Sequence, residues 1–313
     1  MKAVLIERRG QSAAIVDVAL PDPKEGEILV RVTAAGVNPI DWKTRDAAER
    51  RLPFVLGQDF AGIVVGAGTR AHNFAKDDRV FGIAREHGAY AEFTVVPQDD
   101  RTQPIAKIPD AVGDAEAAAL PTAGLTALAS LDALGVMENS KVLILGATGG
   151  VGSFAVQIAH DRGACVIGTA RASNEAFARS LGVDEFVAYD RDDVAAAVRR
   201  NHPDGIDAVL DLVDDRDHLT AVADVLREGG RIVSTIGSAD IDTLAKRNVI
   251  AINLVMTQTP QSSHAGLRAL ARMVEERRLR VPIVTEHALI EAERALEESK
   301  SGSVDGKIVL TVG

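Results

Sequence analysis

The sequence predicts an α/β chain in two parts, a β-rich domain interrupted by a doubly wound domain built on a six-stranded parallel sheet. Three observations carry this. At 313 residues the chain exceeds what one hydrophobic core ordinarily fills, about 250 to 300 residues. Residues 1–108 run as short alternating apolar and polar stretches broken by Gly, Pro and Asp. Beyond Pro109 short apolar runs alternate with helix-like segments, as βαβ units do.

The β-rich part opens on Met1-Lys2-Ala3-Val4-Leu5-Ile6, which reads as a strand and not as a signal peptide with a cleavage site. Further strands are expected in Ile28-Leu29-Val30-Arg31-Val32, Ile63-Val64-Val65 and Phe93-Thr94-Val95-Val96. Residues 111–134 are rich in Ala and Leu and helical in pattern. Then come expected strands at 141–146, 164–170, 185–189, 206–213, 231–237 and 250–256, separated by expected helices at 150–162, 174–181, 194–200, 218–227 and 262–276. From Leu279 onward the chain returns to strands, ending in Lys307-Ile308-Val309-Leu310-Thr311-Val312. This tail is expected to rejoin the first part, giving one domain from 1–115 with 279–313 and a second from 116–278.

Composition excludes several classes. With 46% hydrophobic and 26% charged residues the whole chain is expected to fold. A formal net charge of −10 repels phosphate backbones, and no basic run with interleaved aromatics opposes it, so nucleic acid is not an expected partner. The apolar stretches are too short for a membrane span. A cytoplasmic protein is expected. The one cysteine, Cys165, permits no intrachain disulfide and lies in an apolar run, where burial in a strand is the expected role.

The most informative segment is Gly146-Ala147-Thr148-Gly149-Gly150-Val151-Gly152, set between an apolar strand and a helix. A helix leaving such a turn has N-terminal N–H groups without intrahelical partners, and these together with the helix dipole favour a pyrophosphate. Gly146, Gly149 and Gly152 keep Cβ atoms clear of the turn, the phosphates and the helix–strand contact. An acid at the end of the second strand would bind the ribose hydroxyls of NAD. Here the chain reads Gly168-Thr169-Ala170-Arg171-Ala172-Ser173-Asn174, with no acid before Glu175. Arg171 would attract a 2′-phosphate, and Thr169 and Ser173 could donate to it, so NADPH is the expected cofactor.

With these residues in view, the chain resembles the medium-chain dehydrogenase/reductase superfamily over nearly its full length. The resemblance rests on Gly36-Val37-Asn38-Pro39-Ile40-Asp41, Leu56-Gly57-Gln58-Asp59-Phe60-Ala61-Gly62, Asp77-Asp78-Arg79-Val80-Phe81-Gly82, Gly88-Ala89-Tyr90-Ala91-Glu92-Phe93, Gly124-Leu125-Thr126-Ala127, the glycine turn, and Gly306-Lys307-Ile308-Val309-Leu310. The turn and the Asn38 segment are similar to the zinc-free quinone oxidoreductase and enone reductase branch. The resemblance implies a GroES-like β-rich catalytic domain and a Rossmann domain. Where the zinc alcohol dehydrogenases carry a Cys and a His-Glu pair, this chain has Asn38 and Gln58-Asp59, which are poor zinc ligands. No metal is expected.

The resemblance further implies hydride transfer from NADPH to a quinone or an α,β-unsaturated carbonyl compound, with hydrogen-bond donors stabilising the developing oxyanion. It places Asn38 beside the nicotinamide, donating through its amide, and gives Asp41 the ordering of its loop. Lys43 would stabilise an enolate or bind the nicotinamide ribose, or else be a solvated loop lysine. Thr126 would bond the carboxamide. Tyr189 would pack near the adenosine, and Ile236 and Gly237 would wall the nicotinamide. An enoyl-thioester reductase of the same superfamily and a weakly catalytic NADPH-binding redox sensor stay open as alternatives. Family members usually pair through the edge of the nucleotide-domain sheet, near 250–256 here, so a homodimer acting on a small molecule is expected.

Overall fold

A computed structural model describes residues 1–8, 10–47 and 51–313. It forms two compact units, the first comprising Met1–Leu125, Pro260–Arg277 and Val281–Gly313, the second Thr126–Thr259 with Arg278–Arg280.

The first unit contains the strands β1 (Lys2–Ile6), β2 (Ala14–Asp17), β3 (Glu27–Val37), β4 (Phe54–Val55), β5 (Asp59–Ala67), β6 (Arg79–Ile83), β7 (Phe93–Pro97) and β8 (Ile105–Lys107). Helix α1 (Pro39–Ala47) follows β3, and α2 (Asp114–Ala119) and the start of α3 (Pro121–Leu134) follow β8. β2, β1 and β4 make a three-stranded antiparallel sheet. β3 is the spine of the larger sheet, because its alternating apolar residues Ile28, Val30 and Val32 all face the core. It pairs antiparallel with β5 and β7, and Gly36 is the point where α2 closes on it: a Cβ there would lie 2.3 Å from the Ala118 carbonyl oxygen.

The second unit is a six-stranded sheet of β9 (Lys141–Leu145), β10 (Cys165–Ala170), β11 (Glu185–Ala188), β12 (Ile206–Asp211), β13 (Leu226–Ser234) and β14 (Ile250–Asn253). The order is β11-β10-β9-β12-β13-β14 and every pairing is parallel. This is the doubly wound arrangement expected from the sequence, with its reversal of strand order between β9 and β12. Val142, Leu143, Ile144 and Leu145 are all buried, as a strand covered on both faces requires. Helices α4 (Gly150–Asp161), α5 (Glu175–Ser180), α6 (Val194–Asn201) and α7 (Arg216–Val222) connect the strands, together with α8 (Ile241–Ala245), which the sequence reading did not anticipate. α8 is one short turn begun by Asp240, whose side chain accepts from the Thr243 N–H at 3.1 Å.

The chain then re-enters the first unit. Helix α9 (His264–Glu275) lies there, where Leu270 packs over Gly124 and His264 Nδ1 meets the backbone of Ile105. β15 (Ile283–Ala288), α10 (Ala292–Lys300) and β16 (Lys307–Thr311) complete the chain. β16 pairs antiparallel with β3, which gives the larger sheet the order β15-β16-β3-β5-β6-β8. β16 is therefore a structural member of the first sheet.

Candidate functional site

In the second unit the crevice at the strand reversal is bounded by the turn after β9. Gly146 has φ +83°, a left-handed conformation suited to glycine, and a Cβ there would come within 2.7 Å of Val213 Cγ1. Thr169 secures the turn from the neighbouring strand. Its hydroxyl accepts from Gly146 N at 3.1 Å and its carbonyl from Ala147 N at 2.9 Å. The 2′-phosphate donor role expected for Thr169 thus gives way to a place beneath the turn, where the residue is buried.

Gly149 begins α4 in an extended conformation and brings no side chain to cap it. The first N–H groups of the helix, at Gly150, Val151 and Gly152, precede the first intrahelical bond, from Ser153 N to the Gly149 carbonyl. The three glycines differ in what they tolerate. A Cβ on Gly152 would lie 2.1 Å from the Gly146 carbonyl oxygen, whereas one on Gly149 would meet only that same oxygen, at 3.6 Å. Gly152 is demanded by the fold; Gly149 leaves open room in front of the helix. Ala147 and Thr148 are buried beside them.

At the ends of β10 and β11, Arg171 Nε donates to the Tyr189 hydroxyl at 3.1 Å. Both residues are exposed, as is Ser173, whose hydroxyl contacts Asn174. The structure also brings an acid here that the sequence reading missed: Asp190 Oδ1 accepts from Ala172 N at 2.9 Å. Spacing along the chain gave no signal for it, because Asp190 reaches this position from the turn that follows the adjacent strand, β11.

β13 starts earlier than expected and ends at Ser234, so Ile236 and Gly237 lie on the following loop and not on the strand. Asp211, fully buried at the end of β12, organises this rim. Its carboxylate accepts from the N–H groups of Val213 and Asp214 and from the Ser234 hydroxyl at 2.6 Å, and that hydroxyl in turn accepts from Ile236 N and Ser238 N. A lone carboxylate closing an apolar strand run was the available signal.

The first unit holds a buried polar cluster. Asn38 precedes α1, and its amide is engaged at both ends: Nδ2 donates to Asp59 Oδ2 at 2.8 Å and Oδ1 accepts from Lys307 Nζ at 2.5 Å. One of its two amide N–H groups is directed at Asp59. Thr122 holds the same carboxylate through its N–H and hydroxyl, at 3.0 and 2.6 Å. Asp41 Oδ2 accepts from Asn38 N at 2.8 Å and from the Tyr90 hydroxyl at 2.9 Å, tying the start of α1 to the residues around it.

Burial dominates the electrostatics. It raises the Asp41 carboxyl to about 7, against the opposing hydrogen bond from Asn38, and proximity to Asp59 adds to the rise. Asp59 is raised by burial too, with Lys307 opposing, while burial pulls Lys307 down against the attraction of Asp59 and Asp41. The Tyr90 phenol is pushed well up by burial. Lys307 and Tyr90 stand in the sequence motifs quoted above, but only the fold puts them beside Asn38.

Lys43 is exposed on α1, its Nζ 5.5 Å from the centre of the Trp42 ring, and Lys300 Nζ lies 5.7 Å from the same ring. Thr126 is buried on α3, one turn beyond Thr122. Cys165 is half-buried at the start of β10, its thiol raised by burial and by Glu185. Among the described residues no group of three or more His, Cys, Asp or Glu is arranged to hold a metal, and no helix is long and apolar enough to cross a membrane.

The chain is similar to known proteins over most of its length. Residues 24–110 match the alcohol dehydrogenase GroES-like domain, and residues 181–310 match a domain family described as zinc-binding dehydrogenase. A chloroplast envelope quinone oxidoreductase homolog of Arabidopsis thaliana is 31% identical, over 94% of this chain and 92% of its own length. The quinone oxidoreductase of Coxiella burnetii superposes with a TM-score of 0.90 at 34% identity, covering 100% of this chain and 99% of its own. The Escherichia coli quinone oxidoreductase complexed with NADPH gives a TM-score of 0.90 at 25% identity, over 99% of this chain and 100% of its own.

Proposed function

The chain belongs to the quinone oxidoreductase branch of the medium-chain dehydrogenase/reductase superfamily, and on that footing we propose that it reduces a quinone or an α,β-unsaturated carbonyl compound with NADPH. The observation that carries this reading is the turn between β9 and α4. It offers main-chain donors at a helix start and, at Gly149, a position where a Cβ would meet only the Gly146 carbonyl oxygen, at 3.6 Å, leaving room in front of the helix.

When bound, NADPH supplies the hydride and its two electrons. The protein binds, orients and stabilises. The N–H groups of Gly150, Val151 and Gly152 receive the pyrophosphate, with Gly146, Ala147, Thr148 and Thr169 holding the turn in shape. Arg171, Ser173 and Tyr189 take the adenosine end, and Ile236 and Gly237 take the nicotinamide side, on a rim held by Asp211 and Ser234. Thr126 bonds the carboxamide. Lys43 donates to the oxygen that gains charge on reduction, since an exposed ammonium meets that modest demand. Asn38 acts by position, its amide tying the start of α1 to β5 and β16.

Zinc does not fit the corresponding positions. Asn38 offers an amide already bonded to Asp59 and Lys307, Gln58 offers another amide, and thiolate and imidazole are lacking from the set. The reading therefore assigns polarisation of the acceptor to hydrogen-bond donors. Pairing of two copies along β14, whose Ile250 is half exposed, and a cytoplasmic setting belong to the same proposal.

The test is a screen of a small quinone, an enone and a crotonyl thioester, following NADPH absorbance with NADH in parallel. Consumption of NADPH with the quinone or the enone is expected. Turnover of the thioester alone would move the assignment to an enoyl-thioester reductase, and tight NADPH binding without any acceptor reduced would favour a redox sensor.

A further inference from the structure

We propose that Asp190 sets the cofactor selectivity of this chain, its carboxylate opposing the 2′-phosphate that Arg171 attracts so that NADH is accepted alongside NADPH. The inference rests on the nucleotide site described above and deepens it. In that site the end of the second strand, β10, carries no acid, which by itself argues for NADPH alone. The structure supplies the acid from the turn after the next strand, β11. Ala170 pairs with Ala188 in the parallel register of β10 and β11, so Arg171 and Ala172 run beside Tyr189 and Asp190.

Two hydrogen bonds fix this juxtaposition: Arg171 Nε to the Tyr189 hydroxyl at 3.1 Å, and Ala172 N to Asp190 Oδ1 at 2.9 Å. The second has two consequences. It occupies a main-chain N–H directly after Arg171 that would otherwise be available to a phosphate oxygen. It also anchors a negative charge on the backbone directly after the residue that carries the guanidinium. A 2′-phosphate entering here meets one fixed cation and one fixed anion; a ribose diol meets a carboxylate able to accept from its hydroxyls. A single charge within about 8 Å of a phosphate at a protein surface changes affinity by about fivefold to tenfold, and salt screens the effect.

The experiment compares kcat/KM and binding constants for NADPH and NADH in the full-length protein, in Asp190→Asn and in Asp192→Asn. Asn at 190 keeps an acceptor for Ala172 N and removes the charge, so a thermal melt should match the parent. The NADPH:NADH ratio is expected to rise about fivefold to tenfold in Asp190→Asn, with the gain shrinking as salt is raised. Asp192→Asn, which removes an exposed acid two residues on, is expected to leave the ratio within about twofold. An unchanged ratio in Asp190→Asn with NADPH still bound, or an equal change in both variants, overturns the role of Asp190 and leaves the nucleotide site standing. Failure of the parent protein to bind either nucleotide overturns both.

Discussion

Lys307 Nζ donates to Asn38 Oδ1 at 2.5 Å, so the last strand of the chain fixes the orientation of an amide 269 residues earlier. Because Oδ1 is held by an ammonium, Nδ2 must face Asp59, and the 2.8 Å bond between them follows. Among the described residues, the same ammonium is the cation whose charge opposes the burial of two carboxyl groups, Asp41 and Asp59.

Lys307→Met should therefore remove the compensating charge and leave Asn38 without its acceptor-side partner. Breaking a buried ionic cluster at one member costs about 3–5 kcal/mol. Denaturant unfolding should show a midpoint lowered to match; a midpoint equal to the parent's would mean the ammonium contributes nothing to holding the cluster.

Asp41 gives the stability a pH dependence of defined sign. Its folded value of about 7 lies above the ordinary 3.8, so the folded chain holds a proton that the unfolded chain has released across that window. The contribution is fully present below about pH 4 and is lost as pH rises through about 7. Denaturant midpoints should fall between pH 5 and pH 8, and Asp41→Asn should flatten that slope. A slope unaltered in the variant would place its origin elsewhere.

The glycines of the turn should separate folding from binding. Gly152→Ala drives a Cβ to 2.1 Å from the Gly146 carbonyl oxygen and should lower the melting temperature by several degrees. Gly149→Val meets only an oxygen at 3.6 Å and should melt near the parent temperature, while NADPH affinity falls by at least about tenfold. Titration of NADPH into both variants checks the split; unchanged affinity in Gly149→Val would remove the turn from the cofactor site.

Arg171→Ala should weaken NADPH much more than NADH, by about 1.5–3 kcal/mol for the lost charge-assisted contact. Equal losses for both nucleotides would show that the guanidinium does not recognise the 2′-phosphate.

Turnover should survive exhaustive treatment with a metal chelator, since Asn38 and Gln58 stand at the positions compared with zinc ligands. Loss of activity restored by added zinc would contradict the assignment of acceptor polarisation to hydrogen-bond donors.

What the sequence determined by itself was the part governed by local order along the chain. Apolar runs of strand length punctuated by helices gave the six parallel strands, and a strand, a glycine turn and a helix in succession gave the turn proposed to receive a pyrophosphate, because each depends on residues within a few positions of one another. The tertiary structure decided what depends on strands lying side by side. Asp190 sits beside Arg171 only because β11 pairs with β10, the Asp211–Ser234 bond exists only because β12 pairs with β13, and Lys307 reaches Asn38 only because β16 pairs with β3. Hydrogen bonds act over about 3 Å of space whatever the separation along the chain, so their partners, and the charge states that burial imposes on them, become legible only once the sheets are formed.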